Sequence, residues 1–302
     1  MRFRANVVQP LTFARIMQTI EKLQKRCVVK FTETELHIIC SHDVSDGGVQ
    51  VWSQIKVDAL FTDYKIQSNA GNVITMTLAT EALHAALRSA AAPSVGGPLS
   101  ETDITMKLAK KNDQAVLSFE ILGTSRSGKH MRVAHDVRIE VMRPQDVDKL
   151  QEPLCPEPDV HILLPPLAKL RTVVDHLRAH CDTIAVHANG SGKLQISVST
   201  EDVKTDVTWT GLTNPPMGRD PTSSQQEPPE SSPEPRDPEQ LYGVLMRVKS
   251  FAKFLSSSSI SSTTIACICQ NHAMILYVYI GEVADAGGVL TFYIPAVIDD
   301  SL

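Results

Sequence analysis

One pattern, a strand, an amphipathic helix and three short strands, recurs four times along these 302 residues. Repetition of a whole unit constrains a fold more tightly than any local motif. In the first copy, residues 2–8 read as a strand, and Pro10 stands where a helix starts. Phe13, Ile16, Met17, Ile20 and Leu23 then share one face of a helix over 11–25. Strands follow at 27–31, 36–40 and 49–55, with Gly47-Gly48 at the last corner and a further short strand at 64–66. The second copy has a strand at 73–79 and a helix from Thr80, its cap, to Arg88. Leu83, Ala86, Leu87 and Ala90 turn inward, and strands at 104–108, 115–122 and 132–141 complete the unit.

The third copy runs from a strand at 160–164 through Pro165-Pro166 into a helix over 167–180, then strands at 184–188, 194–199 and 203–210. The fourth has a strand at 241–248, a helix over 250–257 and strands at 263–269, 274–280 and 289–295. Between copies two and three, Arg143 to Asp159 holds four prolines and no apolar period, the signature of an extended connector. The pattern therefore predicts an α+β fold of two domains, 1–142 and 160–302, joined by residues 143–159. Residues 213–240 interrupt the symmetry. Eight of the chain's eighteen prolines lie there with Ser, Gln and Glu, which predicts a disordered insertion.

Apolar residues make up 42% of the chain and no apolar run nears the length of a membrane span, so a soluble, intracellular protein without membrane contact is expected. The six cysteines are scattered, mostly in apolar strands, and no Cys or His pairs fall at metal-ligand spacing. Cys267 and Cys269, two apart, share one face of a strand. Buried reduced thiols and no metal site are the reading.

Two motifs suggest chemistry and then withdraw it. Gly123-Thr124-Ser125-Arg126-Ser127-Gly128-Lys129 has the glycine and lysine spacing of a phosphate loop after an apolar strand. Such a loop needs Ser or Thr next, to hold magnesium, and then a helix. His130 comes next, and 131–137 continues as a strand, so a hairpin is expected. Asn189-Gly190-Ser191-Gly192-Lys193 is another such turn. His135-Asp136 are neighbours in a strand and point to opposite faces, and no nucleophile elbow or carboxylate cluster accompanies them. The chain reads as a non-enzyme with no cofactor.

Cations on the helices persist as a signal. Across the four helical stretches ten Lys and Arg stand against three Asp and Glu, a net +7 in a chain of net -5. The candidates are Arg15, Lys22 and Arg26 on the first helix, Arg88 on the second, Lys169 and Arg178 on the third, and Lys249 and Lys253 on the fourth. Brought to one side, they would form a lining for phosphate contacts without sequence readout.

Seven segments carry a family resemblance: Met1-Arg2-Phe3-Arg4-Ala5, Gly47-Gly48-Val49-Gln50-Val51-Trp52, His135-Asp136-Val137-Arg138-Ile139, Leu150-Gln151-Glu152-Pro153, Pro158-Asp159-Val160, Asn214-Pro215-Pro216 and Tyr293-Ile294-Pro295-Ala296. With them, and across essentially its whole length, the chain resembles DNA sliding clamps of the PCNA fold. More narrowly it resembles the Hus-type subunit of the heterotrimeric checkpoint clamp, the nine-one-one complex. The longer insertion after Pro216 and the loop at 93–98 depart from that family. The resemblance implies a non-catalytic, nuclear subunit that forms a ring with two paralogous subunits around double-stranded DNA. An ATP-dependent clamp loader would place the ring, which would then serve checkpoint kinase signalling, checkpoint factors and repair enzymes. It further implies subunit contacts through the strands bearing Val133, Val137 and Ile139 and Val203, Val207 and Trp209. A client-peptide groove beside the connector would use Leu150, Leu154 and Val160. A homotrimeric replicative clamp is the rival within the fold, and a P-loop NTPase using the Gly123 loop is the rival outside it.

Overall fold

The computed structural model describes residues 1–41, 48–91, 99–125, 128–200, 204–215, 237–260, 263–283 and 286–297. Its elements follow the four-unit pattern. The first unit comprises β1 (Arg2–Val7), α1 (Pro10–Leu23), β2 (Arg26–Phe31), β3 (Glu35–Cys40) and β4 (Gln50–Lys56), followed by the single turn α2 (Val57–Leu60) and β5 (Phe61–Gln67). The second comprises β6 (Ile74–Ala79), α3 (Thr80–Ala91), β7 (Leu99–Lys111), β8 (Gln114–Ser125) and β9 (His130–Val141). After the turn α4 (Pro144–Val147), the third unit is β10 (Val160–Leu163), α5 (Leu167–Leu177), β11 (Thr183–Ala188), β12 (Leu194–Ser199) and β13 (Lys204–Trp209). The fourth is β14 (Tyr242–Arg247), α6 (Val248–Phe254) with a 3-10 turn at Leu255–Ser259, β15 (Thr264–Cys269), β16 (Ala273–Ile280) and β17 (Gly288–Pro295).

Apolar periodicity is realised as burial. On α1, Phe13, Ile16, Met17, Ile20 and Leu23 are all within the core, and α3 buries Leu83, Ala86, Leu87 and Ala90. Boundaries move where local chemistry overrides the period. Helix α1 stops at Leu23 because Gln24 takes an extended backbone, which releases Lys25 and Arg26 from the helix. Seven residues of α6 give way to a 3-10 turn where the sequence becomes a run of serines, poor helix formers that compete for their own backbone. Strands β7 and β8 extend past the apolar runs that announce them, and β9 starts two residues early. Asn112 and Asp113 close the first hairpin with φ of 48° and 60°, a turn whose twist matches its strands. Gly128 closes the second with φ 79°, its N–H donating to the Ser125 carbonyl at 2.8 Å. Strand β9 starts at His130 and pairs antiparallel with β8, so the motif's lysine leads into a strand and not a helix; Arg126 and Ser127 of that motif lie outside the described residues.

Thirteen strands form one sheet in the order β10-β15-β16-β17-β4-β3-β2-β6-β9-β8-β7-β1-β5, and four form another, β13-β12-β11-β14. Strand β17 of the last unit pairs antiparallel with β4 of the first, from Gly288 opposite Ile55 to Tyr293 opposite Gln50. Both chain halves therefore share one sheet. The fourth unit locks behind that seam through Phe254, which meets Phe251 at 5.7 Å and the edge of Phe292 at 5.2 Å. Helices of the two halves also touch: the Thr19 hydroxyl of α1 reaches the Ser256 carbonyl at 3.4 Å.

Residues beyond α4 follow an extended course to β10, pinned along the face of β15–β17 that turns away from the helices. Asp159 N–H donates to the Ile268 carbonyl, and Gln270 N–H donates to the Asp159 carboxylate, each at 2.8 Å. Tyr293 donates its hydroxyl to Glu152 at 2.7 Å. Beneath this segment lies a second small core of Ile265, Cys267, Cys269 and Ile275, packed with Cys155, Leu163, Tyr277, Tyr279 and Tyr293. Cys267 and Cys269 do share a face, and burial pushes their thiols up to about 12 and about 11 respectively. All six cysteines are free thiols.

The disorder expected over 213–240 is too wide at both ends, and residues 216–236 lie outside the described ones. Leu163 N–H donates to the Thr213 carbonyl at 2.8 Å. Asn214 spends its side-chain amide on the carbonyls of His161, at 2.7 Å, and Asn189, at 2.9 Å. One residue thereby ties a strand of the large sheet to a turn of the small one, which composition alone does not reveal.

Two outcomes follow from these contacts. A Cβ on Gly288 would meet the Gln54 carbonyl oxygen and Ile55 Cα at 2.7 Å each, so Gly288→Ala must push β17 from β4. A loss of about 1–3 kcal/mol is expected in urea unfolding, and an unchanged midpoint would show that the seam tolerates the displacement. Tyr293→Phe removes only the Glu152 bond, at about 1 kcal/mol. Hydrogen exchange should accelerate over 150–157 and stay unaltered in β15–β17; equal protection would mean that the remaining contacts suffice.

Candidate nucleic-acid interface

The helices that bury apolar faces must turn their polar faces outward, and on α1, α5 and α6 cations outnumber carboxylates there. Arg15 and Lys22 on α1, Arg88 on α3, Lys169 on α5, Arg178 just beyond it, and Lys249 and Lys253 on α6 are all exposed. Where α1, α5 and α6 converge they leave a cleft of about 510 Å³ lined by Lys22, Arg171, Arg178, Lys249 and Lys253, with Asp175, Ala252 and Ser256. Five cations thus stand against one carboxylate. That carboxylate, Asp175, lies 3.6 Å from Arg171 one turn away, with both side chains about half exposed, so the pair neutralises the cleft only weakly. Lys22 and Lys253 also sit in the last turns of their helices, where exposed carbonyl dipoles favour positive charge.

The structure gathers four of the eight expected cations at this cleft: Lys22, Arg178, Lys249 and Lys253. Arg15, Arg88 and Lys169 are exposed on their helices outside its lining. Arg26 needs correction. It lies on β2, because α1 has already ended, and it pairs with Glu140 of β9 at 3.0 Å while donating to the Thr77 hydroxyl at 3.1 Å. Arg171, a basic residue of the third helix along with Lys169 and Arg178, lines the cleft as well. His84 donates to Glu21 at 2.5 Å and ties α3 to α1.

Strands β9 and β13 each leave a strand edge open among the described residues. Strand β9 pairs with β8 from His130 to Arg138 and with β6 only from Ile139 to Val141, so its earlier part has one unoccupied edge. Strand β13 pairs with β12 alone. The side chains expected at these edges are not all available. Val137 and Ile139 are core residues at 2% and 4% exposure, and Val133 packs against the same core. Val207 and Trp209 are half-buried, and Val203 lies outside the described residues. What both edges offer a neighbour is chiefly main chain.

Nor does the structure assemble the expected peptide groove from its three named anchors. Leu154 is 96% exposed, Leu150 is half-buried, and Val160 is core, opposite Ile268 in the β10–β15 ladder. Strand pairing explains Val160: a ladder residue on the inward face has no second side to offer. Tyr277, Tyr279 and Tyr293 are the apolar surface beside the connector that sequence reading missed, although Tyr277-Val278-Tyr279 alternates as a two-faced strand should. His135 and Asp136 diverge as expected. Asp136 instead meets Lys111 at 2.6 Å, and that bond holds its carboxyl below the usual range.

A family model described as Hus1-like protein matches residues 1–298. Checkpoint protein hus1 of Schizosaccharomyces pombe is 36% identical over 300 residues, covering 99% of this chain and 100% of its own. Checkpoint protein HUS1 of Homo sapiens is 28% identical over 302 residues, covering 98% and 99%. Among solved structures, the Proliferating Cellular Nuclear Antigen of Entamoeba histolytica superposes with a TM-score of 0.68 at 15% identity, over 98% of this chain and 99% of that one. That likeness establishes a sliding-clamp fold for the four-unit architecture. Joined to the full-length family match, it leads to one conclusion: the chain belongs to the Hus1-like protein family.

Proposed function

We propose that this chain is a non-catalytic subunit of a heterotrimeric checkpoint clamp that encircles duplex DNA. The observation that carries the reading is the cleft where Lys22, Arg171, Arg178, Lys249 and Lys253 converge from three helices of both chain halves. Cations on flexible stems, exposed and at most weakly paired, suit phosphates of any sequence and carry no base readout. In this reading 1–142 and 160–302 are the two clamp domains, 143–159 is the connector, and all four helices face the channel. Relatives bearing the name checkpoint protein support a role in damage signalling over a homotrimeric replicative clamp.

The open edges of β9 and β13 would each take a strand from one of the two paralogous subunits, main chain to main chain, so that Val137 and Ile139 of β9 can stay in the core. An ATP-dependent loader would place the ring on DNA in the nucleus. Repair enzymes and checkpoint factors would dock on its outer face, with Leu154 and the tyrosines beside the connector as the apolar contact.

Replacing Lys22, Lys169, Lys249 and Lys253 together with Ala should leave the heterotrimer assembled by native mass. The log–log salt dependence of DNA binding should flatten by about 0.9 for each lysine that meets a phosphate, with no change in sequence preference. Arg26→Ala, outside the cleft lining, should leave that slope alone. An unaltered slope in the quadruple variant would reduce the lining to a solvated surface. A chain that forms a stable homotrimer by itself would favour the replicative reading.

A further inference from the structure

A second basic cleft, of about 760 Å³, lies at the opposite face of the first unit, with Arg2, Arg4, Tyr64, Lys65, Gln67 and Glu33 in its walls. Strand β1 alternates strictly: Phe3, Ala5 and Val7 enter the core shared with α1, so Arg2 and Arg4 point away from the helices. Arg4 stands directly across from Lys65 on β5 and from Lys107 on β7, three cations in a row over three adjacent strands. Like charges directly opposite destabilise a sheet. Lys107 is relieved by Glu120 at 3.3 Å. Arg2, Arg4 and Lys65 have no ion-pair partner among the described residues. Neighbouring carboxylates are otherwise engaged, since Asn6 donates to Asp63 at 2.9 Å and Asn72 to Glu33 at 2.7 Å.

This charge sits beside an open edge. Among the described residues β5 pairs only with β1, so from Tyr64 to Gln67 its outer main-chain groups face the cleft. A register shift between Arg4 and Asn6, where Asp63 takes a positive φ of 49°, bends the strand and limits regular pairing to that short stretch.

We propose that this edge receives an extended acidic peptide segment of another protein as an additional strand, with its carboxylates on Arg2, Arg4 and Lys65. An incoming strand would lie about 4.8 Å beyond β5, within direct reach of Lys65 and within reach of the long Arg4 side chain folding over it. Residues two apart on a strand are about 6.8 Å apart and share a face. The matching segment therefore carries carboxylates at alternate positions, with apolar residues between them facing Tyr64 and Ile66. A nucleic acid fits less well. It has nothing to pair with the main-chain edge.

The test uses the full-length chain and a fluorescein-labelled synthetic peptide of seven residues, glutamate alternating with valine. Saturable binding is expected by anisotropy, weakened about tenfold in R4Q/K65Q, as loss of charge-assisted bonds implies. Proline at the central valine should abolish it by removing a ladder donor. Melting temperature establishes that R4Q/K65Q is folded. The quadruple lysine variant of the helix face should bind the peptide normally, which separates this surface from the DNA-binding one. Absence of saturable binding, equal binding by R4Q/K65Q, or tolerance of proline overturns the proposal. Displacement of the peptide by a short DNA duplex in wild type but not in R4Q/K65Q would reassign the cleft to nucleic acid.

Discussion

Strands β4 and β17 meet over six paired positions that lie between 233 (Gly288 and Ile55) and 243 (Tyr293 and Gln50) residues apart in sequence. Nearly everything else in the structure depends on that seam. It turns two sheets, each with an edge to protect, into one sheet of thirteen strands. It also sets the fourth unit against the first, so that Thr19 of α1 reaches Ser256 beyond α6, and Lys22 reaches the same cleft as Lys249 and Lys253. Long-range pairing carries a large loop-closure cost that local structure cannot offset. The close approach at Gly288, where the facing backbone leaves no room for a Cβ, is one way in which the sequence favours it.

Charge is sorted by face. Strand β1 directs Phe3, Ala5 and Val7 one way and Arg2 and Arg4 the other, and the helices divide apolar from cationic in the same manner at their own period. Hydrophobic burial therefore orients both basic surfaces without any dedicated interaction among the cations. Removing a cation should cost little stability for this reason, because exposed charges contribute little to folding. Arg26 touches Thr77 of β6 and Glu140 of β9, but both members of that ion pair are exposed, so it too should contribute little.

Repetition made the fold legible in the sequence. Four weak unit patterns supported one another, and every helix expected from an apolar stripe is present. Capping and turn chemistry were harder to read. Nothing in Gln24 announces an extended residue, yet that residue decides that Arg26 leaves the helix. Val160, Val137 and Ile139 were legible as apolar strand residues, but which face they occupy depends on the partner strands, and those are distant in sequence. Cations on helices were visible from spacing alone. Which of them converge was not, since convergence depends on how α1, α5 and α6 pack, and Arg171 joined the cleft while Arg15 and Lys169 stayed outside it.

Weakness in the cationic lining is consistent with the proposed task. A ring closed around DNA is retained by topology, so its contacts need not supply affinity. Deep, desolvated ion pairs would instead hold it at one register, because breaking them leaves buried charge unpaired. Exposed lysines on long stems exchange phosphate partners with little reorganisation, and each contact is screened by salt. The outer face has the opposite requirement: a partner docked there must stay in register. Its basic residues are accordingly arginines and a lysine set in a fixed row along a strand with an open main-chain edge, where hydrogen bonds impose register as charge alone does not. On these two proposals the same chain would be slippery on its helices and specific on its sheets, because a helix presents side chains alone whereas a strand edge also presents its backbone.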